Sequence, residues 1–314
     1  MPRPLLPPVD NILDLVGNTP VLRLARLAGP VRADIFAKLE FLNPGGSVKD
    51  RIGVGMIARA EAAGLLKKGG TIIEPTAGNT GIGLALAGVR MGYRAILCVP
   101  ENFSTEKREV MRALGGEVEL TPADAGMKGA IDRAEEMARS IPNSYVPQQF
   151  RNVFNSESHY ETTGPEIWEQ MDGRIDAFVA GAGTGGTFTG VAKYLRERNP
   201  NVYCVIVEPQ GSVIGGGKPG NHEVEGIGSS FIPPVLDMSL ANEVITIDDP
   251  LAFKMVGRLA DEEGLLAGSS SGAAVAASLR VAEKLGRGKR LVTIIPDGAE
   301  RYMSKGIYTK WRSQ

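Results

Sequence analysis

The segment Asn43-Pro44-Gly45-Gly46-Ser47-Val48-Lys49-Asp50-Arg51 joins a glycine-rich loop to a lysine at which a helical pattern begins. Ile52, Met56 and Ile57 recur at roughly helical spacing among alanines, which predicts a helix. Lys49 is therefore expected in the first helical turn, where the helix dipole disfavours a cation. That position, combined with burial, lowers the pKa of an amine and makes it a usable nucleophile. For a lysine taken alone, a solvated side chain at a helix start is the commoner case.

The composition is that of an ordinary soluble globular protein. The chain has 314 residues, of which 43% are hydrophobic and 23% charged, and its length favours two domains. A net charge of −1 provides no basic field for nucleic acid or for an acidic membrane surface. No apolar run approaches the roughly 18 residues of a membrane span, and the short proline-rich N-terminus is unlike a signal peptide. We expect a cytoplasmic protein without nucleic-acid or membrane partners.

The cysteines and histidines lack the spacing of a metal site. Cys98 and Cys204 each lie in an apolar, strand-like run, so buried free thiols are expected rather than a disulfide or a metal pair. His159 and His222 are not spaced as ligands, so no protein-bound zinc is expected.

Strand-like and helical runs alternate along most of the chain. The predicted strands are 19–24, 34–40, 71–74, 95–99, 117–120, 144–147, 176–180, 202–207, 243–247 and 291–295. A turn at Gly29-Pro30 is expected between the first two, and helices such as 81–91 and one ending at Met171 separate later ones. This alternation predicts an α/β fold of two domains with mostly parallel sheets and helices on both faces. The glycine- and proline-rich sequence 209–234 is expected to be irregular and to line a site.

In parallel α/β sheets, ligands bind beyond the carboxyl ends of the strands, and three further loops of this kind carry polar chemistry. The first is Glu74-Pro75-Thr76-Ala77-Gly78-Asn79-Thr80-Gly81, between a predicted strand and an apolar helix. Its backbone amides, threonine hydroxyls and asparagine amide suit an anion such as a carboxylate. The alternative is an ordinary capped turn between a strand and a helix.

The second loop is Gly181-Ala182-Gly183-Thr184-Gly185-Gly186-Thr187, and it satisfies the pattern G-x-G-x-x-G. Glu208 follows some twenty residues later, at the end of the next predicted strand. This arrangement matches a dinucleotide-binding fingerprint, so an NAD-dependent oxidoreductase is one interpretation. A glycine-rich loop at a helix N-terminus binds a phosphate whichever molecule carries it. The hydroxyls of Thr184 and Thr187 suit a single terminal phosphate.

The third loop is Gly268-Ser269-Ser270-Ser271-Gly272, again before an alanine-rich helix. A serine run at this place is a helix N-cap by default, but it also suits a hydroxyl donated to a heterocyclic nitrogen. Together with the lysine and the other two loops, it indicates pyridoxal phosphate, with a Schiff base, a phosphate site and ring contacts. A serine partner leaves the ring nitrogen largely unprotonated, which favours expulsion of a β-leaving group over transamination.

These motifs resemble the cysteine synthase and cystathionine β-synthase family, pyridoxal-phosphate enzymes of the tryptophan synthase β-subunit fold type. The likeness extends along almost the whole chain, from Leu15-Val16-Gly17-Asn18-Thr19-Pro20 to Asp297-Gly298-Ala299-Glu300-Arg301-Tyr302. The motifs between them are Gly46-Ser47-Val48-Lys49-Asp50-Arg51, Glu74 to Gly81, Gln148-Gln149-Phe150, Thr162-Thr163-Gly164-Pro165-Glu166-Ile167, Gly183 to Thr187 and Glu225-Gly226-Ile227-Gly228.

The resemblance implies a role for each matching residue. Lys49 would form the Schiff base with the cofactor and move the α-proton, Asn79 would contact the ring hydroxyl, and Ser270 would face the ring nitrogen. The cofactor phosphate would be bound by Gly183, Thr184, Gly185, Gly186 and Thr187. The substrate site would comprise Thr76, Ala77, Gly78, Asn79, Thr80, Gln149 and Gly228. Spacing does not decide between Gln148 and Gln149 for the substrate carboxylate, although Gln149, before the aromatic residue, matches the family better.

The resemblance also implies a domain organisation, with the cofactor in the cleft between two three-layer αβα domains. The smaller domain would comprise residues 43–152, with a mobile part at about 95–140 that closes over the bound substrate. The larger domain, which binds the cofactor phosphate, would comprise residues 1–42 and 153–314. A homodimer is implied as well.

Two departures from the family are visible in the sequence. The carboxylate loop usually has serine where this chain has Ala77, so one hydroxyl donor is lost, which weakens substrate binding by around 1 kcal/mol unless another contact replaces it. The heme segment and the C-terminal regulatory domain of animal cystathionine β-synthases are not in this sequence, so no heme is expected.

The implied reaction is β-replacement on O-acetylserine or serine through an aminoacrylate intermediate. Gly45-Gly46, the segment 211–214 and the segment 225–233 resemble cystathionine β-synthases, while Ala77 and the serine loop resemble bacterial forms that use O-acetylserine. Homocysteine is therefore the favoured thiol, with cystathionine as product. The alternatives are a cysteine synthase using sulfide, a threonine or serine dehydratase, the NAD-dependent oxidoreductase and an inactive binding protein of the same fold.

Overall fold

The computed structural model describes residues 7–29, 32–76 and 78–308. The strands of these residues are β1 Val21–Arg23, β2 Asp34–Leu39, β3 Thr71–Pro75, β4 Arg94–Pro100, β5 Glu117–Thr121, β6 Ser144–Tyr145, β7 Ala177–Gly181, β8 Tyr203–Pro209, β9 Glu243–Ile247 and β10 Arg290–Ile295. The helices are α1 Ala25–Ala28, α2 Lys49–Ala62, α3 Asn79–Arg90, α4 Thr105–Ala113, α5 Gly126–Ser140, α6 Val153–Ser158, α7 Gly164–Gln170, α8 Gly186–Arg198, α9 Asp249–Glu263 and α10 Ser269–Leu285.

The strands form two sheets, and the predicted α/β class is confirmed. The larger sheet has the order β1-β2-β10-β7-β8-β9 and the smaller one β5-β4-β3-β6. Every pair is parallel except β1 with β2. The smaller sheet is built from residues 71–145, and the larger one takes strands from before and after that stretch. The boundaries 43 and 152 and the mobile part at 95–140 stay predictions.

The larger sheet is covered on both faces, which explains its nearly continuous apolar strands. Alternate residues of one strand face opposite layers: Phe178 packs in a core with Phe188 of α8, whereas Val179 belongs to a core with Val275 of α10. The smaller sheet follows the same rule. Ile72 and Ile73 belong to two cores on opposite faces, the first lined by α2 and α3 and the second by α5.

Three element predictions need correction. The short helix α1 precedes the predicted Gly29-Pro30 turn, and Pro30 itself lies outside the described residues. The helix expected to end at Met171 is α6, a π-helical turn His159–Thr163 and α7. Pro165 lies in the first turn of α7 and has no N–H to donate to the preceding turn, so the regular hydrogen-bond pattern does not continue across it.

The third correction concerns the serine loop. The N-cap of α10 is Gly268, whose backbone is extended, and Ser269, Ser270 and Ser271 form the first turn of the helix. The default expectation of a serine N-cap is therefore wrong. In the described ranges, no helix is both long and apolar enough to cross a membrane.

Candidate active site

Helix α2 begins at Lys49, as the sequence pattern predicts. Lys49 is half-buried, and its backbone N–H donates to Ser47 Oγ at 3.2 Å. Burial lowers the pKa of the Lys49 amine, while the negative charge of Asp297 acts in the opposite direction. The first turn of a helix therefore holds an amine that is easier to deprotonate than an ordinary lysine, as nucleophilic or base catalysis requires.

A close approach of two helices brings Lys49 to the N-terminus of α3. A Cβ atom on Gly83 of α3 would lie 2.5 Å from the backbone oxygen of Lys49. Because only glycine permits this separation, the start of α2 and the second turn of α3 pack backbone against backbone. The residues Asn79 and Thr80, at the start of α3, consequently lie next to the lysine segment.

The predicted carboxylate-binding residues meet at this helix terminus. Thr80 is buried, and its hydroxyl donates to Gln149 Oε1 at 2.6 Å. Thr76 is also buried, and its Oγ1 accepts from the N–H of Gly78 at 3.3 Å. The free N–H groups of a helix N-terminus and these hydroxyl and amide groups suit an anion. Ala77 lies outside the described residues, so its effect stays a prediction.

The structure favours Gln149 over Gln148 for this pocket. Gln149 is buried beside Thr80, whereas Gln148 is exposed. Gln148 has a φ of 55°, a left-handed conformation that is uncommon for residues other than glycine. The turn at Gln148 therefore needs support from neighbouring groups to hold Gln149 in the pocket.

Glu74 gives that support, and sequence reasoning assigned it no role. Its side chain is fully buried, and its two oxygens accept the N–H groups of Gln148 at 2.8 Å and of Gln149 at 3.0 Å. Burial raises the pKa of Glu74 to about 7, although both N–H groups favour the ionised form. A carboxylate inside a buried, apolar strand was the available signal, because such a group is retained only with dedicated partners.

Glu74→Gln is expected to raise KM for the amino-acid substrate about tenfold. Glutamine offers one acceptor oxygen, so one of the two backbone N–H groups would face an amide donor. A buried N–H without an acceptor costs about 1–3 kcal/mol. The loop can reduce this cost by moving, which displaces Gln149 from Thr80. Steady-state kinetics measures the effect. Glu117→Gln, which changes an exposed carboxylate on β5 of the same sheet, is the control, and an unchanged KM for Glu74→Gln would contradict this role.

The same variant changes the pH dependence of stability. Because the folded-state pKa of Glu74 lies above its usual value of 4.5, the group favours folding fully below about pH 4.5, and this contribution is lost as the pH rises through about 7. Glutamine does not titrate. The unfolding midpoint of the wild type should therefore fall relative to that of Glu74→Gln over this range, and parallel curves would contradict the assignment.

The glycine loop after β7 forms a turn at the N-terminus of α8, a geometry that suits an anion. Gly185 is the N-cap, with a φ of 85° that favours glycine. Thr184 is buried, and its Oγ1 accepts from Asn155 Nδ2 at 3.0 Å. The helix that follows has 13 residues, so its dipole and free N–H groups point at the loop. The predicted phosphate-binding residues Gly183 to Thr187 are thus brought together.

His159 is a second residue that sequence reasoning did not place. It is fully buried in the π-helical turn, and its Nε2 is hydrogen-bonded to Thr187 Oγ1 at 3.1 Å and its Nδ1 to Thr163 Oγ1 at 2.9 Å. Burial, followed by the charges of Arg51 and Lys49, holds its pKa well below the usual value. A neutral imidazole therefore orients the Thr187 hydroxyl at the phosphate loop.

Glu208 is not accessible in the way that a dinucleotide site requires, although it lies near the end of β8 as the sequence predicts. Its side chain is buried at the end of β8, and Oε1 accepts from Gly215 N at 3.2 Å and from Thr246 Oγ1 at 3.1 Å. The carboxylate thus binds its own surrounding loop and strand, whereas ribose recognition needs an accessible acidic residue.

The third predicted loop packs against the segment that contains Gly228. Ser270 is buried in the first turn of α10, and the neighbouring Ser269 accepts the N–H of Glu225 at 3.0 Å. The N–H of Gly228 donates to the oxygen of Ala182, in the phosphate loop, at 2.8 Å. The serine turn, the segment 225–228 and the phosphate loop therefore form one continuous wall.

Asn79 is held from two sides. Its Nδ2 donates to Asp297 Oδ2 at 2.6 Å, and its Oδ1 accepts from Arg301 Nη1 at 2.6 Å. Both partners lie in the segment after β10, which the family motif includes but to which we assigned no function. The predicted contact of Asn79 with the ring hydroxyl stays a prediction.

The residues present fit pyridoxal phosphate. A half-buried lysine with a lowered pKa suits a Schiff base, the glycine turn at α8 suits a phosphate, and a buried serine turn suits a ring nitrogen. Two buried oxygens at this wall, Ser271 Oγ and Asp297 Oδ1, have no hydrogen-bond partner in the described chain. Buried polar atoms without a partner are rare in folded proteins, and a bound ligand is one group that can supply the missing hydrogen bond.

Comparison with known proteins agrees with this geometry. The family described as "Pyridoxal-phosphate dependent enzyme" matches residues 12–297. The O-acetylserine dependent cystathionine beta-synthase of Bacillus subtilis is 51% identical over 300 residues, covering 96% of this chain and 98% of that protein. A cysteine synthase of Staphylococcus aureus is 47% identical over 304 residues, covering 96% of this chain and 98% of that protein.

A solved structure shows the same fold. The O-acetylserine dependent cystathionine beta-synthase of Helicobacter pylori superimposes with a TM-score of 0.91 at 48% sequence identity, covering 96% of this chain and 100% of that one. The resemblance to cysteine synthases and cystathionine β-synthases is confirmed, and the chain belongs to the family of pyridoxal-phosphate-dependent enzymes.

Proposed function

We propose that this enzyme replaces the acetoxy group of O-acetylserine with a thiol, and that homocysteine is its preferred thiol. The observation that carries the proposal is the packing of the Lys49 backbone against α3, whose first turn holds Thr80 hydrogen-bonded to Gln149. An amino acid whose carboxylate occupies that turn presents its α-carbon towards the lysine segment. Bound pyridoxal phosphate supplies the electron withdrawal that makes the α-proton acidic.

Three groups of residues divide the work of this reaction. Lys49 Nζ takes the α-proton, and its lowered pKa keeps more of the amine in the neutral form that accepts one. Thr80 and Gln149 orient the carboxylate, so the α-proton points at Nζ. Ser270 offers a hydroxyl without charge to the cofactor ring, which favours loss of the β-substituent over longer-lived carbanion chemistry.

The choice of thiol is supported by the charges at the edge of the site. Glu225 lies between two cations: Lys107 of α4 is 3.0 Å away, and Lys305 also forms an ion pair with it. The Glu225 and Lys305 side chains are 28% and 51% exposed, so an incoming molecule can reach them. Homocysteine carries an ammonium and a carboxylate that can pair with such groups, whereas sulfide gains nothing from them.

Lys305→Met is expected to raise KM for homocysteine by about two- to fivefold, since an exposed ion pair with the substrate carboxylate is worth about 1 kcal/mol or less. KM for O-acetylserine and the rate with sulfide should stay unchanged. Lys284→Met, which removes a comparably exposed lysine paired with Glu243, is the matched control. An equal effect on both thiols would show that Lys305 does not select the thiol.

The similar proteins include enzymes named for each of the two reactions, cystathionine synthesis and cysteine synthesis. Two O-acetylserine dependent cystathionine β-synthases are 51% and 48% identical to this chain, and a cysteine synthase is 47% identical. A cysteine synthase is therefore the second candidate. The deciding experiment compares kcat/KM for homocysteine and for sulfide with O-acetylserine as the common donor. We expect the larger kcat/KM for homocysteine. A far larger kcat/KM for sulfide would make cysteine synthase the favoured function.

A homodimer in the cytoplasm is the remaining part of the proposal, and it rests on the family resemblance. Light scattering on the purified protein tests the assembly, with twice the mass of the 33.3 kDa chain as the expected result. The mass of a single chain would contradict it.

A further inference from the structure

Asp297 is held next to the lysine segment by backbone hydrogen bonds. Asp297 and Ser47 form an antiparallel bridge, and the N–H of Val48 donates to the oxygen of Pro296 at 2.8 Å. On its other side, the oxygen of Asp297 accepts the N–H of Gly268, the N-cap of α10, at 3.1 Å. Asp297 therefore lies between the segment that presents Lys49 and the serine turn.

The two oxygens of the Asp297 carboxylate have different surroundings. Oδ2 accepts hydrogen bonds from Asn79 Nδ2, at 2.6 Å, and from the hydroxyl of Tyr302. Oδ1 is buried and has no partner in the described residues, and the whole residue is 2% exposed. A buried carboxylate with one bare oxygen is costly, because an ionised group normally keeps its charge compensated.

The cations around Asp297 differ in how they are engaged. Lys107 pairs with Glu225 and lies 4.4 Å from the centre of the Tyr302 ring. Arg301 donates to Asn79 Oδ1 and to the oxygen of Gly45. Lys49 is not among these engaged cations, and within the described residues the charge of Asp297 opposes the lowering of the Lys49 pKa by burial.

We infer that Asp297 is a positioning residue for Lys49, whose Oδ1 receives Nζ when that atom carries a proton. The inference rests on the proposed function. When Lys49 Nζ takes the α-proton, the carbon–hydrogen bond breaks, an N–H bond forms, and the electron pair remains with the substrate and its cofactor. Nζ becomes an ammonium, and Oδ1 accepts one of its hydrogen bonds while Asp297 itself takes no proton.

The surroundings of Asp297 keep it suited to this task. Burial raises the pKa of Asp297, and the hydrogen bonds from Tyr302 and Asn79 and the charges of Lys107 and Arg301 offset part of that rise and so favour the ionised carboxylate. The neighbours of Lys49 include His159, which is held neutral by burial and contributes no negative charge. Two donors on Oδ2 fix the orientation of the carboxylate. Oδ1 lies against Gly268, where a Cβ atom would come within 2.2 Å of it, and keeps its capacity to accept a hydrogen bond.

The test uses the holoenzyme and the pH dependence of its visible absorption, which reports whether the nitrogen of Lys49 carries a proton. Asp297→Asn keeps an oxygen for Asn79 and Tyr302 but removes the charge. We expect the midpoint of the titration to fall by about 1–3 pH units, the usual effect of an opposite charge at close range. Asp297→Ser also removes the charge, so the result does not depend on the folding of a single variant.

Asp50→Asn is the matched control. Asp50 directly follows Lys49, is buried, and likewise has an oxygen without a partner in the described chain, but it binds the N–H of Gly45 at 2.6 Å and does not alter the pKa of Lys49. Its variant should titrate like the wild type. A wild-type midpoint in both Asp297 variants, or an equal fall in Asp50→Asn, would overturn the inference. Cofactor that borohydride fixes to a lysine other than Lys49 in the wild type would instead contradict the role of Lys49 in the proposed function.

Discussion

Replacement of Lys49 by alanine is expected to lower kcat/KM by at least about 10³-fold, because in the proposed function Lys49 is both the nucleophile that binds the cofactor and the base that moves the α-proton. The cofactor phosphate should still bind, since the glycine turn at α8 lies on a different element from α2. The variant is therefore expected to take up cofactor without a covalent bond. Borohydride reduction followed by peptide mass spectrometry distinguishes the two proteins, with cofactor fixed to the Lys49 peptide of the wild type only.

Lys38→Met is the control for this experiment. Lys38 is fully buried and bonded to Glu166 at 2.6 Å and Gln170 at 2.8 Å. Its replacement should lower stability and still leave the cofactor fixed to the Lys49 peptide. Turnover of Lys49→Ala within about tenfold of the wild type, or labelling of another lysine in the wild type, would contradict the assignment of Lys49.

Replacement of Arg51 by methionine is expected to lower the free energy of unfolding by about 3–5 kcal/mol, the cost of leaving a buried ion without its partner. Arg51 donates to both oxygens of Glu40, at 2.6 and 2.8 Å, and to both oxygens of Glu166, at 2.7 Å each. The Arg51 and Glu40 side chains are 2% and 0% exposed. Denaturant unfolding of the wild type and the variant under the same conditions measures the difference.

A surface ion pair provides the comparison for Arg51. Arg94 binds both oxygens of Glu117, but these side chains are 49% and 52% exposed, so Arg94→Met should change the free energy of unfolding by less than about 1 kcal/mol. Similar effects of the two variants would mean that burial does not decide the strength of the Arg51 cluster.

The Arg51 cluster also has an expected pH dependence. Burial by itself would raise the pKa of Glu40, but the charge and hydrogen bonds of Arg51 outweigh it and the pKa is lowered from 4.5. The ionised pair therefore contributes to stability above the unfolded pKa, and this contribution is lost as the pH falls below it. The difference in free energy of unfolding between the wild type and Arg51→Met should therefore become smaller at acid pH, as denaturant unfolding at several pH values would show.

The sheets were predictable from the sequence because their strands are covered on both faces and are therefore almost entirely apolar. The strand at residues 291–295, for example, is β10, with buried residues from Leu291 to Ile295. The polar loops after the strands were also visible, since parallel strands deliver them to one edge of the sheet. Element boundaries were less predictable: α3 begins at Asn79, two residues before the predicted helix, and this places Asn79 in the helical turn.

The supporting residues of the site could not be found in this way, because they act across long stretches of chain. Glu74 holds residues 148 and 149, His159 holds Thr187, and Asp297 holds Asn79. The sequence around each of these residues gives no indication of which distant residue it contacts. A buried charge within an apolar strand or at its end is the general signal, and it shows that a partner exists without showing which one.

The most direct test of the account is a visible absorption spectrum of the purified holoenzyme, recorded before and after addition of O-acetylserine alone. We predict a new band that persists until a thiol is added, and a faster return of the original band with homocysteine than with sulfide. A spectrum that does not respond to O-acetylserine would contradict the proposed reaction, and a faster return with sulfide would make this enzyme a cysteine synthase.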